Sequence, residues 1–491
     1  MQQRHRLLLA TVTAAALTGT LLTFGAATAT AADSTTVPQA DFNGDGIGDV
    51  AFSAAGAYVS GLKHAGQVVV LYGTSTGVDA AERSVLSQNS AGVPGGSEAE
   101  DAFGSETAYG DFNHDGYDDL AVGTPHEKVG DDVNGGTVAV LWGSASGLTG
   151  KGVTVPDPAV SSHDRWGNYL AAGDFDGDGR DDLAVANSSS TIYVYKGGIT
   201  ASGAAATART TVKPPVQSGG DTGPLNLTAG DVNGDKKTDL VVDGFETTGE
   251  YGWNANYYLP GTSSGPSTAA AKKLRPGVIT AIGDVNGDGY GDIVTGAYWD
   301  SKTPDGVAIP DSSDGGRANI TYGSSTGPDG TTTITQNTGN VPGGSEKGDG
   351  FASELDLGDI NGDGYQDLVV GTPGEDLGGV KDTGALTVLY GSASGLDTTS
   401  GTQYFAQSTA GVPGSDEEYD SLGLDVKLDD VTGDGRADLI AGSWENAGNG
   451  SVLYLPSNGS KIVTSGGRSL SPSAAGVSTT GTPDFGANFA D

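Results

Sequence analysis

Apolar residues in this chain come in short bursts, each fenced by glycine, proline, asparagine or aspartate. Leu120-Ala-Val-Gly-Thr-Pro125 and Leu368-Val-Val-Gly-Thr-Pro373 are two such bursts. Gly136-Thr-Val-Ala-Val-Leu-Trp-Gly143 and Gly384-Ala-Leu-Thr-Val-Leu-Tyr-Gly391 are two more. They are rich in β-branched and aromatic types and end at turn formers, which is how strands read in a sequence. A further extended stretch follows, as in Val153-Thr-Val-Pro156 and Thr332-Thr-Ile-Thr335. Past the N-terminal region no segment keeps a helical apolar period, so helices should be scarce. The N-terminal exception runs apolar from Leu7 to Phe24, behind Arg4 and Arg6 and ahead of Ala29-Thr30-Ala31. That order is the layout of a signal peptide. Residues 1–31 are therefore expected to be removed and 32–491 to form a secreted, extracellular protein. No later run has the apolar length a bilayer demands, so no transmembrane anchor is expected.

Each pair of bursts is tied to one nine-residue acidic loop, and the loop recurs seven times. Its copies start at Asp41, Asp111, Asp174, Asp231, Asp284, Asp359 and Asp430, so successive starts lie 53 to 75 residues apart. Aspartate holds positions 1, 5 and 9 in every copy, and an aliphatic residue follows at once. Repetition at this spacing makes each loop part of a larger structural unit. Four strands in each of seven tandem units predict an all-β, seven-bladed propeller of four-stranded antiparallel blades. The ends of the chain agree with closure. Too few residues precede the first loop for an inner strand, while Phe485-Gly-Ala-Asn-Phe-Ala-Asp491 copies the inner-strand pattern with no loop after it. The C-terminus is thus expected to close the ring by completing the first blade, whose other strands come from residues 50 to 88.

The second unit reads Phe103-Gly-Ser-Glu-Thr-Ala-Tyr-Gly-Asp111, then the loop, then Val-Gly-Thr-Pro125. Phe-Gly, Gly-Asp with the acidic loop and Val-Gly-Thr-Pro resemble the FG-GAP repeat of integrin α-subunit β-propellers and their secreted bacterial relatives. The resemblance spans essentially all of 32–491. Pro224-Leu-Asn-Leu-Thr replaces the Phe-Gly start of the fourth unit, and the fifth begins Pro276-Gly-Val. In such a propeller the loops joining strands 2 and 3, and those leading from strand 4 to the next blade, share the face opposite the acidic loops.

Side chains at positions 1, 3 and 5 of a tight turn converge on one point, a carbonyl at position 7 adds a donor, and position 9 closes the site. The candidate ligands are Asp41, Asn43, Asp45, Ile47 and Asp49 in the first loop. In the second and third they are Asp111, Asn113, Asp115, Tyr117 and Asp119, then Asp174, Asp176, Asp178, Arg180 and Asp182. The fourth and fifth offer Asp231, Asn233, Asp235, Lys237 and Asp239, then Asp284, Asn286, Asp288, Tyr290 and Asp292. The last two offer Asp359, Asn361, Asp363, Tyr365 and Asp367, then Asp430, Thr432, Asp434, Arg436 and Asp438. Oxygen donors without histidine or cysteine fit Ca²⁺, up to seven ions, better than zinc or copper. An EF-hand would need glutamate at position 12, where Phe52, Val122, Val185, Val242, Thr295, Val370 and Ala441 stand. A polar turn explains one such loop, but not seven at fixed spacing. The loops with Lys236 and Thr432 should be the weakest.

The chain has no cysteine, so ions take the place that disulfides fill in many secreted proteins. A net charge of −38 excludes a general nucleic-acid binder. Gly73-Thr-Ser-Thr-Gly77, Gly261-Thr-Ser-Ser-Gly265 and Gly323-Ser-Ser-Thr-Gly327 fit a hydrolase pattern but sit where strand 3 turns into strand 4, not between strand and helix. They read as turns, and His64, His114, His126 and His163 as solvated loop residues. Trp253, Trp299 and Trp444, with the acidic turns Val93–Glu98, Val341–Glu346 and Val412–Asp416, fall on the face opposite the acidic loops. Exposed aromatics on loops suit a sugar or a protein. The expectation is a monomeric, calcium-stabilised binding or adhesion module for a protein or glycan ligand. The alternative is a polysaccharide lyase or hydrolase working at the channel mouth. Its basic residues (Lys63, His64, His126, Lys128, Lys302, Arg317, Lys381) are scattered over different units, which weighs against it.

Overall fold

A computed structural model of the chain describes residues 39–200, 208–219, 223–248 and 252–490. The expected signal peptide lies outside the described residues. Seven antiparallel sheets follow one another along the chain. In blade 2, Glu106–Gly110, Asp119–Thr124, Thr137–Leu141 and Gly152–Val155 pair each with the next. Blades 3 to 7 repeat that order, starting from Leu170–Gly173, Asn226–Gly230, Ile279–Gly283, Glu354–Gly358 and Val426–Asp429. These innermost strands touch their successors around a central channel. Helix among the described residues is limited to single turns, Glu445–Gly448, Pro472–Ala475 and the 3-10 turn Thr268–Ala270.

Strand alternation explains how the core is divided. Val50 and Phe52 point into the junction with blade 7, where they meet Val431, Ile440, Val452 and Tyr454. Ala51, between them, faces blade 2. One apolar cluster fills each of the seven junctions, and the one between blades 4 and 5 is the smallest (Val232, Val241, Tyr258, Leu274, Ile293). The middle strands of each blade, mostly buried on both sides, thereby build one continuous core, while outermost strands such as Arg83–Leu86 and Lys272–Lys273 are more exposed.

Blade 1 has three regular strands of its own, Val50–Ala54, Gln67–Leu71 and Arg83–Leu86. The C-terminus supplies its inner edge, as the sequence predicts. Phe52 bridges Phe489, the Ser53 N–H donates to the Asn488 carbonyl at 2.7 Å, and the Ala490 N–H donates to the Ala51 carbonyl at 2.9 Å. Phe485 is fully buried, edge-on to Phe52 with ring centres 4.8 Å apart. Glycine makes the docking possible. A Cβ on Gly450 would lie 2.3 Å from the Phe485 carbonyl oxygen, just as one on Gly66 would lie 2.3 Å from that of Phe103. Blade 7 therefore meets the C-terminal segment as blade 1 meets blade 2.

Candidate metal centres and the opposite face

Six of the acidic loops join the first and second strands of their blades, the loop at Asp41 leads into Val50–Ala54 of blade 1, and all seven share one construction. Position 2 is apolar and fully buried in all of them, from Phe42 to Val431, and anchors the loop in a junction. Position 1 folds the turn around itself: Asp41 Oδ1 accepts from the Gly44 N–H at 2.7 Å and Oδ2 from the Gly46 N–H at 2.9 Å. Asn43 Oδ1 accepts from the Asp45 N–H, and Asp45 Oδ1 from the Ile47 N–H. Position 9 ties three elements together, because Asp49 accepts from the Phe42 N–H and, through its other oxygen, from the Gly73 N–H at the end of strand 3. Positions 1, 3, 5 and 9 thus line one turn, as the spacing requires. Carboxylate oxygens of Asp174, Asp176 and Asp182 lie within 4.8 Å of one another.

The electrostatics of this arrangement are unfavourable without a counter-charge. Burial pushes the Asp49, Asp119, Asp182 and Asp367 carboxyls up to about 8, against the backbone N–H groups they accept, and neighbouring loop carboxylates add to the shift. Asp239, Asp292 and Asp438 rise to about 7, chiefly for the same reason. Asp119 Oδ2 and Asp182 Oδ2 are buried with no hydrogen-bond partner. Crowded oxygens with an orphaned acceptor fit a hard divalent cation.

Three features of the loops were not visible in the sequence. Position 8 links blades: the position-8 N–H donates to the position-1 carbonyl of the preceding loop, as in Asp118 to Asp41 (3.1 Å), Gln366 to Asp284 (2.9 Å) and Gly48 to Asp430 (2.9 Å). Where position 8 is aspartate its carboxylate accepts the position-1 N–H: Asp118 from Asp41 in addition to the backbone bond, and Asp181 from Asp111 in its place. The position-7 side chain covers the preceding loop, so that a Cβ on Gly44 would lie 2.6 Å from the Tyr117 ring. Finally, lysines sit on two loops. Lys196 pairs with Asp176, and Lys237 with Asp235 at 3.2 Å. No repeat pattern announces Lys196, which follows strand 3.

The remaining candidates sort by position. In the Gly-x-Ser-x-Gly matches the first hydroxyl closes a turn, as Thr74 Oγ1 does on the Gly77 carbonyl, Thr262 Oγ1 on that of Gly265 and Ser324 Oγ on that of Gly327, so they are turns. His163 corrects its expectation. It is buried, stacked on Trp166 at 5.9 Å and 3.3 Å from Asp157, because the connection into blade 3 folds under its own tryptophan. Trp253 and Trp299 are half-buried, the latter packed edge-on against Tyr298, and only Trp444 of the three tryptophans is well exposed. Among the described residues the exposed large apolar side chains are Val133, Val160, Tyr298, Tyr419 and Trp444. Every one lies on a 2–3 loop or a connection between blades, so all five share the face opposite the acidic loops. The channel narrows to a cavity of about 100 Å³ lined by Tyr109, Leu227, Ile282, Asp356 and Lys427 among others. Lys427 is buried there, its ammonium 5.6 Å from the centre of the Tyr109 ring.

Comparison with known proteins follows the same lines. The family described as "FG-GAP repeat" matches residues 35–71, 103–141, 276–314 and 351–389, and "FG-GAP-like repeat" matches 174–242. A phosphatidylinositol-glycan-specific phospholipase D from Mus musculus is 36% identical over 149 residues, covering 30% of this chain and 17% of that protein. Integrin alpha pat-2 from Caenorhabditis elegans is 26% identical over 272 residues, 55% of this chain and 18% of the relative. Integrin alpha-PS5 from Drosophila melanogaster is 32% identical over 164 residues, covering 32% of this chain and 15% of the relative. The matched stretches thus span less than a fifth of each relative's length.

Proposed function

Because the chain is an integrin-like FG-GAP β-propeller, we propose that it is a secreted binding or adhesion module, stabilised by calcium in its acidic loops. Its ligand, a protein or a glycan, docks on the face opposite those loops. The observation that carries the binding reading is the one-sided placement of the exposed apolar side chains. Among the described residues all five exposed large apolar side chains lie on one face. Tyr419 and Trp444 of blade 7 lie on neighbouring segments joined by the Trp444 N–H donating to the Asp420 carbonyl, an arrangement that suits a surface meeting a partner. Tyrosine and tryptophan suit both sugar stacking and protein contact, since each pairs an apolar ring with a polar handle. Calcium is supported by the oxygen-only donor sets and by the buried, unpartnered carboxylate oxygens at position 9. The ions would weld strand 1 to strand 2 in each blade. Among the described residues no helix is long and apolar enough to cross a membrane.

The lyase or hydrolase alternative gains less. Lys63 and His64 pair with Glu100 at 3.0 and 2.9 Å, and Arg317 is buried against Asp311, so these groups already hold loops together. A panel of immobilised glycans and surface proteins, probed with the mature chain in Ca²⁺, tests the proposal. A binder should emerge, and Tyr298→Ala combined with Tyr419→Ala and Trp444→Ala should weaken its capture at least tenfold without lowering the melting temperature. Capture that the triple variant retains in full would contradict the assignment of this face.

A further inference from the structure

Three of the connections between blades carry a second acidic pattern that the nine-residue loops do not explain. Gln88, Glu98 and Asp101 lead into blade 2 and meet Glu127 of that blade's 2–3 loop. Gln336, Glu346 and Asp349 lead into blade 6 and meet Glu375. Gln407, Glu417 and Asp420 lead into blade 7 and meet Glu445. The glutamine and its glutamate are 39, 39 and 38 residues apart in the three copies.

The same bonds recur in each copy. Gln88 Nε2 donates to Glu127 Oε2 at 2.6 Å, Gln336 Nε2 to Glu375 Oε2 at 2.6 Å, and Gln407 Nε2 to Glu445. The aspartate accepts from the glutamate N–H three residues before it, Asp101 at 2.5 Å, Asp349 at 2.6 Å and Asp420 at 3.1 Å. In the first copy one carboxylate oxygen from each of Glu98, Asp101 and Glu127 lies within 4.8 Å of the other two. Among the described residues no ion pair reaches these three side chains, nor Glu346, Asp349 or Glu375.

An independent feature points to a ligand. Gln88, Gln336 and Gln407 are 4%, 3% and 5% exposed, and in all three the amide Oε1 is buried without a hydrogen-bond partner. An orphaned buried acceptor is destabilising, and the same orphan in three homologous places is not an accident of packing. Turning the amide over exchanges its oxygen and nitrogen, and brings the oxygen to the place beside the glutamate carboxylate that Nε2 now holds. A cation there would satisfy the amide oxygen and three carboxylates together. The turn leaves room for this. Gly95, Gly343 and Gly414 all have positive φ, and a Cβ on them would fall 2.7, 2.6 and 2.9 Å from the glutamine Nε2.

We propose that blades 2, 6 and 7 each bind a second divalent, oxygen-seeking cation of the calcium class, on the face opposite the nine-residue loops. Gln88, Glu98, Asp101 and Glu127 and their two sets of counterparts are the ligands. Each ion clips the segment entering a blade to that blade's own 2–3 loop. Oxygen-only donors with net charge −3 and no imidazole or thiolate select Ca²⁺ over zinc or copper. In blade 7 the site underlies the apolar surface, since exposed Tyr419 lies between Glu417 and Asp420 and Trp444 precedes Glu445.

The inference does not rest on calcium in the nine-residue loops, and one experiment separates the two. Bound Ca²⁺ per mature chain is counted by native mass spectrometry for the parent and for Glu127→Gln/Glu375→Gln/Glu445→Gln. The triple variant should carry three ions fewer than the parent, whatever number the loops hold. An equal count would overturn the proposal while leaving the loop sites standing. A parent that carries only three ions, all lost in the variant, would uphold it and sink the loop reading. Melting in chelator guards against misfolding, because replacing crowded carboxylates by amides should leave the cation-free melting temperature unchanged or higher. Should the triple variant melt lower there, the single variants decide: each must lose one ion, and unchanged single counts overturn the proposal.

Discussion

At the scale of single residues the position-9 aspartates set the behaviour of the acidic loops. Each is buried at the foot of a second strand and shares its loop with other carboxylates. Their folded pKa values, about 7 to 8, lie well above the ordinary aspartate range, so in the cation-free protein each group favours folding only while it is protonated. That contribution is complete below about pH 4 and is lost as pH rises through 7 to 8. In chelator the melting temperature should therefore fall between pH 5.5 and 8.5. In Ca²⁺, which replaces the proton, it should stay level or rise. A chelated melting temperature that climbs over this range would contradict the loop electrostatics. The loops themselves were legible because identical residues recur at identical spacing. The lysine on Asp176, the bridging role of position 8 and the buried glutamines were not, because each depends on contact between segments that the one-dimensional pattern keeps apart. Burial of aromatics escaped for the same reason: Trp299 and Tyr298 are adjacent in sequence, yet packing leaves the tyrosine in water and covers the tryptophan.

Among the elements, the C-terminal segment is the most informative. Seven sheets were legible from the apolar bursts together with the seven acidic loops, which mark even the fourth and fifth units, whose Phe-Gly start is missing. The register of the ring was legible only because Phe485-Gly486 repeats an inner-strand signature out of place. Phe485→Ala removes a fully buried ring from the junction of blades 7 and 1 and should cost about 3–5 kcal/mol. Deleting residues 485–491 goes further, since it strips the inner edge of Val50–Ala54 and leaves unpaired N–H and C=O groups facing the channel. The truncated protein should aggregate, or be cut by protease between residues 39 and 100, as size-exclusion chromatography and limited proteolysis would reveal. A truncated chain as soluble and heat-stable as the parent would contradict the closure.

The whole molecule is a ring of seven similar junctions without a disulfide. Each blade leans on the next through an apolar cluster, and six of the seven junctions also carry a backbone hydrogen bond from one acidic loop to its neighbour. A cation in one loop would therefore steady two blades and couple ion binding to ring stability. At a free Ca²⁺ concentration tenfold above its dissociation constant each site adds about 1.4 kcal/mol. Several such sites weigh as much as the net stability of an ordinary domain. The most direct test is thermal unfolding of the mature protein at neutral pH in Ca²⁺, in Mg²⁺ and in EDTA. Chelation should lower the melting temperature clearly, with Ca²⁺ restoring it and Mg²⁺ doing so less well, because irregular oxygen cages suit the larger ion. Superimposable melting curves in Ca²⁺ and EDTA would contradict the account of the acidic loops as calcium sites that hold the propeller together.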